Sequence, residues 1–300
     1  RINMLNRRQF LKNSGALAIG SLALHHVSWS TPAAMRPLGV QLFTFFREID
    51  QDLTGTLKKI ADLGYQELES AFSMKGGYYG LKPKEFLQTA KDLGLAWKAH
   101  HVLGTPFVPP PERKLPEGFS KMRSLKDNHQ ELVDEVAEGG IKYLVCASID
   151  VKTGDAVKSS VEILNKSGEA CKKAGLTLCY HNHDAEFKNV DGVVPYDVFL
   201  SQLSKDIKME LDLAWVAKAG IDPVELFKKN PGRFPLWHVK DFDKEYKTLM
   251  PVGSGVIDFK RIFDNASVAG LVHPFVEHDN PPDGIESLRA SMTYLKTILK

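Results

Sequence analysis

The chain has almost no net charge: 39 basic against 37 acidic residues leave +2 over 300 positions. A protein that binds nucleic acid by electrostatics needs a strong basic surplus, so that class is disfavoured. Cysteine is scarce. The three residues cannot all pair, and none has a Cys-based zinc spacing. Cys146 and Cys179 fall in apolar, strand-like runs and Cys171 in a helical one, the pattern of buried free thiols. No G-x-G-x-x-G or G-x-x-x-x-G-K-[ST] follows an early strand, which removes the usual evidence for a doubly wound nucleotide-binding sheet. Low-complexity tracts and signs of a second domain are missing as well. With 43% hydrophobic and 25% charged residues, the remainder reads as one ordinary globular domain.

Four short segments carry the chemistry: Leu176–Phe187 (LTLCYHNHDAEF), Ile207–Trp215 (IKMELDLAW), Pro235–Asp241 (PLWHVKD) and Val272–Asp279 (VHPFVEHD). Each starts as an apolar, β-like run and ends in His, Asp or Glu. If they are neighbouring parallel strands, their C-terminal side chains converge. Glu186, Asp212, His238 and Glu277 then offer three carboxylates and an imidazole, a donor set for a divalent cation such as Mn²⁺, Zn²⁺, Mg²⁺ or Co²⁺.

A repeated punctuation supports the strands. Helical stretches end in Gly and an apolar run follows at once: Gly64 before YQELES, Gly94 before LAWKAHH, Gly140 before IKYLVCA, Gly175 before LTLCYH, Gly270 before LVHPFVE. Glycine accepts the left-handed conformation that closes a helix, so each unit is a helix–Gly–strand signal. Alternation at this spacing implies a parallel α/β sheet. Leu38–Phe43, Ile207–Leu213 and Pro235–Lys240 bring the strands to about eight, which closes a (β/α)8 TIM barrel. Ser287–Leu299 is the last helix, returning the chain beside its start.

The first residues differ. Asn6-Arg7-Arg8-Gln9-Phe10-Leu11-Lys12 precedes the uncharged Asn13–Leu24, a basic head before an apolar core too short to span a bilayer comfortably. It resembles a twin-arginine export signal, with Asn6 where Ser or Thr is usual. The expected organisation is therefore an export signal and short linker over 1–34 and a barrel over 35–300, with a periplasmic destination.

From Leu38 onward the chain resembles the sugar phosphate isomerase/epimerase family, the xylose isomerase-like TIM barrels. The motifs that carry the resemblance are YHNHDAEF, ELDLAW, HVKDFD, VGSGVIDF and FVEHD. It implies one divalent metal held by a Glu after the fifth strand, an Asp after the sixth, a His after the seventh and a Glu on the eighth. Asp212, His238 and Glu277 match the last three. The fifth-strand position departs: His181 or Asn182 stands where the family has Glu, and Glu186 beyond the strand end is the expected replacement, with His181 or His183 as alternates.

Other residues have two readings each. His181 and His183, two apart on an extended segment, share a face and read as substrate contacts or as a hydrogen-bonded structural pair. Glu210 precedes Asp212 by two and is either a site residue or a barrel ion-pair partner. Lys240, two after His238, also points inward, as a general acid or as a salt bridge. Only one of His100 and His101 can enter the barrel; inward alternation with Trp97 and Ala99 selects His101. Gln41 and the Phe43–Phe46 wall end strand one, where Phe43 would stack on a sugar face or pack beneath the loop. Tyr78 and Tyr79, in the loop after strand two, are substrate contacts or exposed loop residues. Gly253-Ser254-Gly255 resembles a phosphate-cradling turn but reads more simply as a lead into a helix near Asp258. The proline-rich 104–116 loop follows strand three on the catalytic face.

Such a site polarises a carbonyl and acidifies the adjacent C–H, so that carboxylates remove and return a proton through an enediolate. The expectation is a metal-dependent sugar isomerase, epimerase or lyase, with Glu186 and Glu277 as ligand-bases and Lys240 and His101 assisting. Its partner is a small sugar or polyol, with no nucleic acid and no membrane after signal removal; a homo-oligomer is compatible. The alternatives are an endonuclease IV-like phosphodiesterase and a non-catalytic periplasmic sugar-binding protein.

Overall fold

A computed structural model describes residues 36–108 and 122–299. The expected export signal, and residues 109–116 of the proline-rich loop, lie outside them. Eight strands close a parallel barrel: β1 (Gly39–Gln41), β2 (Glu67–Ser70), β3 (Ala96–Leu103), β4 (Tyr143–Ser148), β5 (Thr177–His181), β6 (Lys208–Asp212), β7 (Leu236–Val239) and β10 (His273–Val276), with β10 pairing back to β1. This is the TIM barrel expected from the helix–strand alternation. The short strands β8 (Asp241–Phe242) and β9 (Leu249–Met250) form an antiparallel pair in the connection after β7.

The glycine punctuation has its physical cause in the backbone. Gly94 (φ 75°) closes α2 (Pro83–Asp92), and Gly175 (φ 77°) closes α4 (Gly154–Lys173), each in the left-handed region that a Cβ disfavours. Helix starts are capped by side chains: Asp52 accepts from Gly55 N at the head of α1 (Leu53–Asp62), and Thr153 from Ala156 N at the head of α4. The last helix, α10 (Gly284–Ile298), packs beside the start of the barrel, where Tyr65 OH donates to Leu288 O at 2.9 Å.

Helices cover the barrel with a continuous apolar layer. The interior is filled at its lower end by a separate cluster, Ala99, Val145, Cys179, Leu236 and Phe275. Above that plug, inward positions turn polar. One detail of β3 corrects the alternation expected from sequence. The β2–β3 register slips between Leu68 and Glu69, so that Leu68 pairs with Trp97 and Glu69 with Ala99. The slip sends Trp97 to the outer layer, against Phe86 (4.8 Å) and Tyr78 (4.9 Å), while Ala99 and His101 face inward. Strict alternation would have put Trp97 inside.

All three cysteines are buried and unpaired. Among the described residues no helix is long and apolar enough to cross a membrane.

Candidate active site

The inward residues at the C-terminal ends of the strands form two tiers. The upper tier is Asp212 at the end of β6, His238 on β7, Lys240 just beyond it, and Glu277 and Asp279 after β10. His238 Nδ1 stands 2.6 Å from Glu277 Oε2 and 3.9 Å from Asp212 Oδ2. Lys240 Nζ lies 2.8 Å from Glu277, 3.0 Å from Asp279 and 3.2 Å from Asp212. Burial opposes the ammonium charge, but Asp279, Glu277 and Asp212 outweigh it and hold the lysine well above its ordinary value. It is therefore a charged group, able to stabilise an oxyanion but not to act as a base. Burial pushes the Asp212 carboxyl up to about 7 against the pull of Lys240.

The lower tier is Glu69 (β2), His101 (β3), His181 (β5) and Glu210 (β6). His101 Nε2 lies 2.7 Å from Glu210 Oε2, and His181 Nδ1 lies 3.2 Å from the same oxygen. Glu69 Oε2 accepts from Gln41 Nε2 at 2.8 Å and faces His238 Nε2 at 2.5 Å. Burial and the neighbouring Glu210 raise the Glu69 carboxyl well above the usual range. Burial opposes ionisation of Glu210 too, but His238 and His101 outweigh it and lower its pKa. Burial also holds His181 and His238 far below the ordinary imidazole value.

His238 spans the two tiers, with Nε2 facing Glu69 and Nδ1 facing Glu277 and Asp212. With the proton on Nε2, His238 keeps a lone pair on Nδ1, directed toward Glu277 and Asp212. Asp212 Oδ2, His238 Nδ1 and Glu277 Oε2 are all buried, and none takes part in a well-directed hydrogen bond, although Lys240 is close to both carboxylates. They also lie within ligand-forming range of one another. Three unsatisfied buried lone pairs on one imidazole and two carboxylates suit a divalent cation, and a mixed O/N set suits Mn²⁺, Zn²⁺ or Co²⁺.

A cavity of about 720 Å³ opens over the upper tier, with Phe43, His101, His181, His183, Lys240, Glu277 and Asp279 among its lining. It has the size of a small-molecule site.

The residues expected from sequence divide as follows. Asp212, His238, Glu277 and Lys240 come together in the upper tier, and His101 and His181 lie beneath it. Phe43 and His183 line the cavity, His183 with its ring 5.8 Å from Trp215. Gln41 is fully buried and reaches the site only through Glu69; its Oε1 accepts from Phe43 N.

Glu186 is not brought to the others. It follows β5 in a turn that carries it to the outer side of the strand, where Tyr180 OH donates to it at 2.6 Å and His183 N at 3.0 Å. Both its oxygens are engaged there. Tyr78 and Tyr79 are neither exposed nor in the cavity: Tyr78 packs on Trp97 and His100, and Tyr79 OH accepts from Ala71 N. The Gly253–Gly255 turn is filled by its own protein, because Asp241 accepts from the N–H groups of Gly253, Gly255 and Ile257. It is a structural turn.

Sequence reasoning missed Glu69 and Asp279. Glu69 alternates with Glu67 in a strand buried on both faces, and an inward carboxylate there must be matched by something in the barrel. That mismatch was the available signal.

The model of the xylose isomerase-like TIM barrels matches residues 57–298. The chain belongs to that family. Among solved structures, two described as sugar phosphate isomerase/epimerases from Parabacteroides distasonis ATCC 8503 resemble it. One is 27% identical with a TM-score of 0.72, covering 90% of this chain and 98% of that one. The other is 26% identical with a TM-score of 0.75, covering 88% and 100%. A D-psicose 3-epimerase from Clostridium cellulolyticum H10 shares the fold at 14% identity and a TM-score of 0.63, covering 88% and 99%. No curated protein matches the chain.

Proposed function

We propose that this chain is a divalent-metal-dependent sugar isomerase or epimerase, or a related lyase, that acts by moving a proton next to a carbonyl. The observation that carries the reading is the convergence of three unsatisfied buried ligand atoms, Asp212 Oδ2, His238 Nδ1 and Glu277 Oε2, the last on a residue that lines the cavity of about 720 Å³. The two Parabacteroides neighbours, described as sugar phosphate isomerase/epimerases, support the substrate class.

Asp212, His238 and Glu277 would hold the metal, which when bound supplies Lewis-acid polarisation of a substrate carbonyl. The rest of the work falls to the chain. Glu277 directly follows the last barrel strand and lines the cavity, which suits it to take the proton from the carbon beside the carbonyl. Lys240, charged and within 3.2 Å of both ligand carboxylates, favours negative charge developing in the cavity. His183 and His181 offer ring nitrogens to hydroxyls, and Phe43 offers an apolar face to a sugar ring. Glu186 has no part in this scheme, since its oxygens are engaged behind β5.

The test is solvent exchange. A panel of free, phosphorylated and oxidised sugars is incubated with Mn²⁺-loaded protein in deuterium oxide and followed by NMR. The expected result is deuterium at the carbon next to the carbonyl, lost in Glu277→Gln with a rate penalty of at least about 10²–10⁴. Turnover of any sugar with no label and no primary isotope effect on α-deuterated substrate would reject the proton-transfer reading.

A further inference from the structure

The cavity has two unlike halves, and they follow the barrel. Among the described lining residues, every one from β5 onward is ionisable: His181, His183, Lys240, Glu277 and Asp279. From the loop after β2, through β3, to α3 (Leu125–Glu138), the wall is mostly apolar, built by Phe72, Met74, Val102, Leu103, Met122 and Leu132. An aromatic run carries it round from β1, with the Phe43 ring 5.1 Å from Phe46 and the Phe46 ring 5.4 Å from Phe72.

Most polar side chains of that second half are engaged by the protein itself. Ser73 Oγ donates to Asp50 at 2.5 Å, and His100 Nδ1 faces Ser70 Oγ at 2.8 Å. Arg123 donates to both oxygens of Glu135 at 2.6 Å, and His101 Nε2 lies 2.7 Å from Glu210. Ser148 and the exposed Lys75 are left to serve a polar ligand. A sugar carries a hydroxyl on nearly every carbon, and each one moved from water onto an apolar wall without a partner costs free energy. A second sugar ring is therefore poorly matched to this half. An apolar group is well matched, since it needs no partner and its burial is favourable in proportion to its area. Met74 and Met122 add unbranched side chains that adapt to the shape of a ring. At about 720 Å³ the cavity is of the size that encloses a drug-sized molecule, so one sugar ring at the ionisable end leaves the apolar half to be filled.

We propose that the substrate is a sugar bearing a bulky apolar substituent of aryl size, with the sugar at the ionisable end and the substituent against the β2–β3 wall. The placement of the sugar rests on the function proposed above; the character of the apolar half does not. Where the link is glycosidic the anomeric carbon is locked, and the reacting carbonyl is a ketone elsewhere on the ring.

The test reads binding rather than turnover. Mn²⁺-loaded protein is titrated by calorimetry with the phenyl and methyl α- and β-glycosides of glucose, galactose and xylose, and with glucose 6-phosphate. In at least one pair the phenyl glycoside should bind about 10–100-fold more tightly than the methyl, the worth of burying one aromatic ring. Its heat-capacity change should also be the more negative, the mark of apolar burial. Met74→Asp and Met122→Asp, both at partly exposed positions, should each bring the phenyl-to-methyl ratio down toward one while taking up Mn²⁺ as wild type does. Should one variant fail to fold, the other decides.

Phenyl and methyl glycosides that bind alike in every pair, absence of measurable binding included, would overturn the proposal. So would a phenyl preference untouched in the folded variants. Glucose 6-phosphate binding more tightly than every phenyl glycoside would overturn it too, by assigning the second half to an anion beside Lys75. A phenyl preference in a protein that exchanges no proton of any sugar would keep the apolar half and remove the proposed function. Exchange on free sugars without a phenyl preference would do the reverse.

Discussion

Removal of the buried ammonium at Lys240 is the most informative perturbation of the upper tier. Its Nζ is within 3.2 Å of Asp212, Glu277 and Asp279, and the side chain is buried. Lys240→Met keeps the aliphatic stem and deletes the only cation that the described residues supply to those three carboxylates. Breaking a buried ion pair by removing one partner costs about 3–5 kcal/mol, because the other charge is left uncompensated. Asp212 is already pushed up to about 7 and takes on a proton readily, so the metal-free loss should fall near the lower end at neutral pH.

For a domain of this size each kcal/mol is worth about 2–4 °C, so the metal-free variant should melt about 6–12 °C below wild type. A divalent ion then replaces the missing charge. Tighter binding by at least about tenfold adds about 1.4 kcal/mol to the metal-induced stabilisation at a fixed excess of ion. Thermal unfolding with and without Mn²⁺ reads both effects. A variant that melts with wild type when metal-free, or that gains no more from Mn²⁺ than wild type does, would refute the reasoning.

Two further outcomes follow from the same geometry. The folded pKa of Asp212, about 7, lies above its ordinary value of 3.8, so the metal-free folded protein keeps a proton that the unfolded chain releases. Its contribution therefore erodes stability as pH rises from about 4 to about 7. Bound metal displaces that proton, so Mn²⁺ affinity measured by calorimetry should climb by up to about tenfold per pH unit below 7 and level off above it. Glu186→Gln should leave the metal count unchanged and lower stability by about 1–2 kcal/mol through the weakened Tyr180 and His183 contacts, as read by urea unfolding.

The barrel was legible because its signals are local and repeated: a left-handed glycine after a helix, then an apolar run, five times over. Asp212, His238 and Glu277 were legible as polar ends on apolar strands. Glu186 misled because sequence distance says nothing of which way a turn leaves its strand; after β5 the chain turns outward and Tyr180, one residue before the strand's last position, captures the carboxylate. His101 faces inward although the alternation used to choose it fails at Trp97, because a register slip in β3 is a three-dimensional event without a local residue signature. Glu69 and Asp279 matter through partners roughly 30 to 170 residues away in the chain, Gln41 and His238 for one and Lys240 for the other. Pairings at such range emerge only once the barrel closes.

The central claim is that Asp212, His238 and Glu277 form one divalent-cation site, and titration of metal-free protein with Mn²⁺, followed by calorimetry and by the loss of the free-ion electron paramagnetic resonance signal, tests it most directly. Wild type should take up one equivalent. Asp212→Ala and Glu277→Ala should take up none, or bind more weakly by a factor beyond the roughly 10–100-fold typical of a residue that merely supports a ligand. Uptake of one equivalent with unchanged affinity in both folded variants would contradict the account.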